Sequence, residues 1–171
     1  MNRLSANLPL SALLFSIIFS APVAALSTDT QQPIYVDADT QELDMANNVV
    51  EFKGNVILQQ GSIDIRADKI IIERLNNIEG NEVIRSFGKP TTFKQQLDDG
   101  TFIHGRGERM VYTTKDEFLQ IFDNAYLEQQ SSSIEGNTIS YRIDKQKLVA
   151  ESQEGGRVTT VLQPKALDKE E

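Results

Sequence analysis

The chain has no cysteine, no tryptophan, one histidine, and no apolar run long enough to cross a membrane. Without cysteine, thiol nucleophiles and thiolate metal sites are excluded, and stability has to come from packing and backbone hydrogen bonds. The single histidine, His104, cannot build a His-rich zinc site, and HExxH, GxSxG and phosphate-loop motifs are all missing. No serine stands in a nucleophile elbow that His104 could serve, and its setting, FIHGRGE, reads as a solvated strand end.

Positive charge is also scarce. The net charge is −8, and the basic residues (Arg66, Lys69, Arg106, Arg109, Arg142, Lys145, Lys147) are scattered rather than clustered. Nucleic acid is therefore a poor partner, since neutralising phosphates takes grouped Lys and Arg. The acids do not supply a hydrolase. Asp37, Asp39, Glu42 and Asp44 form a run in which Asp37 and Asp39 share one strand face, whereas a glycosidase needs carboxylates on opposite sides of a cleft. The run lacks the glycine-bent loop of an EF-hand and reads as an acidic outer face. We expect no enzyme activity, no cofactor and no metal.

The longest apolar segment is residues 8–19 (LPLSALLFSIIF), twelve in all, preceded by Arg3 and followed by SAPVAALS. This is the form of a secretory signal peptide, with cleavage expected after Ala25, and it falls short of the ~18–20 residues of a membrane span. We read 1–25 as a leader, 26–164 as one exported, soluble β-domain and 165–171 as a flexible charged tail. Loss of Arg3 makes the mature net charge −9. Residues 26–32 (LSTDTQQ) are polar and read as a loose lead-in.

From Ile34 onward the chain reads as short strands. Turn signals recur at 46–48, 54–55, 60–62, 76–80, 98–100, 114–116, 123–124, 136–137 and 154–156. Such spacing marks a sandwich, barrel or jelly roll. The same pattern is written twice. Residues 50–72 (VEFKGNVILQQGSIDIRADKIII) align without a gap on 119–141 (LQIFDNAYLEQQSSSIEGNTISY), at an offset of 69, and GKPTTF at 88–93 returns as GRVTTV at 156–161. Pairs that stay apolar are Phe52/Ile121, Val56/Ala125, Leu58/Leu127, Ile65/Ile134, Ile70/Ile139 and Ile72/Tyr141. Intervening pairs such as Glu51/Gln120, Lys53/Phe122 and Arg66/Glu135 drift. Side chains alternate across a strand, so the first set points inward and the second mostly outward.

The inward set is mostly Ile, Val and Leu. Taken alone, it fits either the dry core of a self-assembling structural β-protein or a greasy trough that accepts acyl chains. The motifs ADxxxLD at 38–44 and F-x-GNV-x₃-QG-x₃-I-x-AD at 52–68, with GKPTTF, NAYLEQQ and RVTTVL, resemble the OstA-like family of periplasmic lipopolysaccharide-transport proteins across the mature chain.

That resemblance implies a slightly twisted antiparallel β jelly roll of about sixteen short strands, open at both ends, that holds acyl chains inside and assembles head to tail. It implies a location in the periplasm, bridging inner and outer membranes, with lipopolysaccharide as cargo. The implied partners are the jelly roll of inner-membrane LptC, the N-terminal domain of outer-membrane LptD, and further copies of the same protein. For the lipid-facing surface we select Ile34, Val36, Phe52, Leu58, Ile65, Phe93, Met110, Tyr112, Leu127 and Ile139. Met110 and Tyr112 are read as the second copy's equivalent of Ile34 and Val36. For end-to-end contacts we select the first strand, Ile34, Tyr35, Val36 and Asp37, and the last, Val158, Thr159, Thr160, Val161 and Leu162.

Overall fold

A computed structural model describes residues 29–163. The expected leader, 1–25, and tail, 165–171, lie outside the described residues. After a 3-10 turn at Asp29–Gln31 the elements are β1 (Ile34–Asp37), β2 (Thr40–Asp44), β3 (Val49–Gln60), β4 (Ile63–Arg74), β5 (Glu82–Gln96), β6 (Phe102–Thr113), β7 (Phe118–Gln129), β8 (Ser132–Arg142), β9 (Lys147–Glu151) and β10 (Thr159–Val161). All pair antiparallel in one sheet that does not close. β3 to β8 form a meander, β1 and β2 lie end to end along the free side of β3, and β10 and β9 do the same along β8.

The described residues thus form ten strands where about sixteen were expected. The difference has a physical origin. The turn signals at 54–55, 123–124 and 136–137 fall inside continuous strands; the first two act as β-bulges, and 136–137 runs on as regular strand opposite the second. The register skips between Lys53 and Val56, Arg66 and Lys69, Phe87 and Thr91, Arg106 and Arg109, and Phe122 and Ala125. Gly54 and Asn55 have φ of 81° and 46°, and Asp123 and Asn124 have 60° and 58°. Gly, Asn and Asp tolerate this left-handed region best. Each Asn is held by a matching bond: Asn55 Nδ2 donates to Asp39 Oδ2 at 3.0 Å, and Asn124 Nδ2 to Glu108 Oε1 at 3.0 Å.

These irregularities form one column across the sheet, and the two edges break in the same column, at Ala38–Asp39 and at 152–158. Bulges bend and twist the strands that carry them. The sheet accordingly folds over along the column into two facing arms. One arm holds β1, 56–60, 63–67, 91–96, 102–107, 125–129, 132–136 and β10; the other holds β2, 49–53, 69–74, 82–87, 109–113, 118–122, 138–142 and β9. Asp37 and Asp39 therefore do not share a strand face. Asp37 ends β1, and Asp39 sits in the break, where its N–H donates to Gly54 O at 3.0 Å.

Between the arms lies one apolar cluster. Leu58, Ile65, Ile70, Phe93, Met110, Tyr112, Leu119, Ile121 and Ile139 are at most 1% exposed. Burying each such side chain contributes about 1.5–3 kcal/mol. Ile121 packs into the elbow because Gly105 and Gly107 leave room for it. A Cβ on Gly107 would stand 2.5 Å from Ile121 Cγ2 and 2.7 Å from the Phe122 carbonyl oxygen.

On the outer face several of the scattered basic residues prove to be cross-strand partners of aromatics. Arg106 lies 3.7 Å over the Tyr126 ring, Arg109 3.8 Å over Phe122, and Lys69 5.0 Å over Phe87. Each pair is directly opposed in the register. His104 is exposed on the same face, its ring centroid 6.3 Å from that of Phe102.

Replacing Gly107 by Ala should destabilise the fold by about 1–3 kcal/mol through overpacking at the elbow. Urea unfolding monitored by circular dichroism would measure this. An unchanged midpoint would mean that the elbow is not tightly packed.

Candidate functional site

The inner face is built by alternation. In β3 the inward parity runs Val56, Leu58, Gln60 and in β4 Ile63, Ile65, Ala67, all buried, while Gln59 and Arg66 between them are exposed. Of the residues selected for lipid contact, Phe52, Leu58, Ile65, Phe93, Met110, Tyr112, Leu127 and Ile139 are buried in the cluster between the arms. Ile34 and Val36 are half-buried and pack against it at the first edge.

One assignment needs correcting. At the offset of 69, Ile34 and Val36 correspond to Ile103 and Gly105, whereas Met110 and Tyr112 correspond to Gln41 and Leu43 on the other arm. The cause is that β6 is the unbroken counterpart of β1 and β2 together, so one strand of the second copy serves both arms. Val56, Ile63, Ile84, Leu119 and Ile121 share the interior although they were not selected.

The interior is not uniformly apolar, and here sequence reading missed the most. Asp29, expected in a loose lead-in, is 4% exposed. Its carboxylate accepts from Ser62 N at 2.7 Å, Ser62 Oγ at 2.6 Å and Gln95 Nε2 at 3.2 Å. Gln60 Nε2 donates to the carbonyls of Thr30 at 3.2 Å and Gln32 at 3.1 Å. The Thr30 hydroxyl donates to Glu117 Oε1 at 3.1 Å, which ties one arm to the other at the hairpin ends.

Tyr112 and Tyr141 are buried nearby. Burial pushes the Tyr112 hydroxyl well above its ordinary pKa, helped by the Glu117 and Asp29 carboxylates. Burial pushes Tyr141 up to about 12. Both stay neutral and able to donate. The signal for Gln60 was available: it is a polar residue at inward parity. Asp29 had none, because its partners are set by long-range folding.

At the edges, β1 and β10 end the strand order as the outermost ranks of the same arm. Tyr35 is 65% exposed, Val161 46% and Leu162 77%. The last strand is shorter than expected: Val158 precedes β10 and Leu162 follows it. Among the described residues no group of His, Cys, Asp or Glu could hold a metal ion, and no helix is long and apolar enough to cross a membrane.

An unclosed antiparallel sheet folded around one apolar interior has the character of a protein that binds apolar groups. The model of the family "LptA/(LptD N-terminal domain) LPS transport protein" matches residues 35–147. The lipopolysaccharide export system protein LptA of Escherichia coli K12 is 45% identical over 166 residues, covering 97% of this chain and 89% of that protein. LptA of Haemophilus influenzae is 42% identical over 154 residues, covering 90% of each chain. The crystal structure of LptH, the LptA-homologous periplasmic component of the lipopolysaccharide transport device of Pseudomonas aeruginosa, superposes with a TM-score of 0.74 at 28% identity. It covers 80% of this chain and 99% of that one. The chain belongs to the LptA/LptD N-terminal-domain family of lipopolysaccharide transport proteins.

Replacing Asp29 by Ala should cost about 1–3 kcal/mol, because the Ser62 N–H and the Gln95 amide lose their acceptor. The thermal midpoint would report it. A wild-type midpoint would mean that the 3-10 turn contributes nothing to holding the hairpin ends.

Proposed function

We propose that this protein carries lipopolysaccharide across the periplasm from inner to outer membrane, as a non-enzymatic, jelly-roll bridge whose interior holds the acyl chains. The observation that carries this reading is the family membership of a chain whose single sheet is unclosed and folds around one apolar face. A twelve-carbon chain offers roughly 9 kcal/mol at about 0.8 kcal/mol per CH₂, before the costs of binding. The packed interior admits such a chain as the arms part about the bulge column. The outer surface is acidic, so acyl burial rather than phosphate attraction dominates recognition.

Assembly uses the two ends. β1 at one edge and β10 at the other each present a strand side that pairs with nothing among the described residues. Strand addition at such edges supplies main-chain hydrogen bonds, and like-built neighbours placed end to end form a non-closing array. Further copies of this chain, an LptC jelly roll at the inner membrane and the LptD N-terminal domain at the outer membrane fit these ends. The close packing of the interior also favours a second reading, a structural polymer with a dry core. Native mass spectrometry separates the two, since the bridge retains lipid and the polymer does not.

Photo-crosslinkers at Phe52, Leu58 and Phe93 should label lipopolysaccharide, and crosslinkers at Lys53 and Gln59 should not. Equal labelling from both sets would refute an interior site. Arginine at Val158 or Val161 should abolish self-association in size-exclusion chromatography while the thermal midpoint stays near wild type. Retained oligomers would remove this end from the interface.

A further inference from the structure

Four buried side-chain atoms between the arms have no hydrogen-bond partner: Gln60 Oε1, Gln95 Oε1, Tyr112 Oη and Tyr141 Oη. The residues are 3%, 4%, 0% and 2% exposed. They are not spread through the interior. Gln60 is the last residue of β3, and Gln95, Tyr112 and Tyr141 are each the last but one of β5, β6 and β8. All therefore stand at the rim formed by the hairpin ends, the side farthest from the bulge column.

The two amides are fixed in orientation. Gln60 spends its Nε2 on the Thr30 and Gln32 carbonyls, and Gln95 spends its own on Asp29, which leaves each carbonyl oxygen free. Native interiors rarely tolerate unpaired polar atoms, and four gathered at one rim call for an explanation. Below them, toward the column, lie apolar Leu58, Phe93, Ile121 and Ile139.

We propose that Gln60, Gln95, Tyr112 and Tyr141 form a neutral hydrogen-bonding collar that reads the neck of a lipopolysaccharide, where acyl chains join sugar through ester, amide and hydroxyl groups. This rests on the lipid-carrying reading above and adds to it the depth and polarity of the seat. The hydroxyls donate to ester or amide carbonyls, and the glutamine oxygens accept from hydroxyls or amide N–H groups. Acyl chains then point to the elbow and the saccharide projects past the hairpin ends. The phosphates belong outside this collar, because the Glu117 and Asp29 carboxylates act on Tyr112 and that of Asp98 on Tyr141, while Arg74, the cation beside Gln60, is already paired with Glu82 at 2.9 Å.

The test uses the mature protein and its Tyr112→Phe/Tyr141→Phe variant, which removes two oxygens and keeps both rings. Two probes are titrated by fluorescence displacement: purified lipopolysaccharide and an alkylpyrene, which has chains but no polar neck. The ratio of the two affinities should shift about tenfold against lipopolysaccharide, as expected for two lost hydrogen bonds. The thermal midpoint of the free variant should stay level or rise, because two unpaired buried hydroxyls are removed. An unchanged ratio, or a fallen midpoint with both affinities reduced alike, overturns the collar. Wild-type protein that binds no lipopolysaccharide sinks the underlying reading together with the collar. That result is distinct from a wild type and a variant that bind equally well.

Discussion

A single antiparallel sheet with one apolar face can bury that face only by closing, by pairing with another layer, or by folding over on itself. This chain folds over. Everything else depends on the column of bulges that lets each long strand bend at the same level. Gly54 and Asn55, Gly107, and Asp123 and Asn124 supply the unusual backbone and the space there, and the Asn–carboxylate bonds repeat between the two copies. Without an aligned column the arms could not face each other, and the Ile and Leu side chains between them would meet water.

The duplication acquires a reason from this geometry. Residues 49–60 and 118–129 are both single strands with their bulges at equivalent positions, so the cross-section around β3 is rebuilt around β7. A sheet built of two like units has two like ends, each with its outer strand broken in the bulge column. That is a suitable plan for a family whose members transport an elongated amphipath, because the interior runs from one edge to the other without a closing wall. The outer face, with its cation–aromatic pairs, stabilises the sheet from the solvent side.

The interior is graded. It is apolar at the elbow and polar at the hairpin ends, where Asp29 gathers Ser62 and Gln95 and the tyrosine hydroxyls stay neutral. An amphipathic cargo matches this gradient better than a purely hydrocarbon one.

Alternation in 50–72 and 119–141 was enough to tell inside from outside, and the buried members of the selected set were legible because a strand has a period of two. The repeat and the family resemblance were legible for the same local reasons. What the sequence could not tell was whether Gly54–Asn55 and Asp123–Asn124 were turns or bulges, since the same residues favour positive φ in both. The strand count changed on that point. Nor could it show that β6 replaces β1 and β2 together, or that Asp29 reaches Ser62 and Gln95. By itself the sequence determined the two faces of the sheet. The tertiary structure alone decided where the sheet bends and which polar groups meet at its rim, because those depend on contacts between residues far apart in the chain.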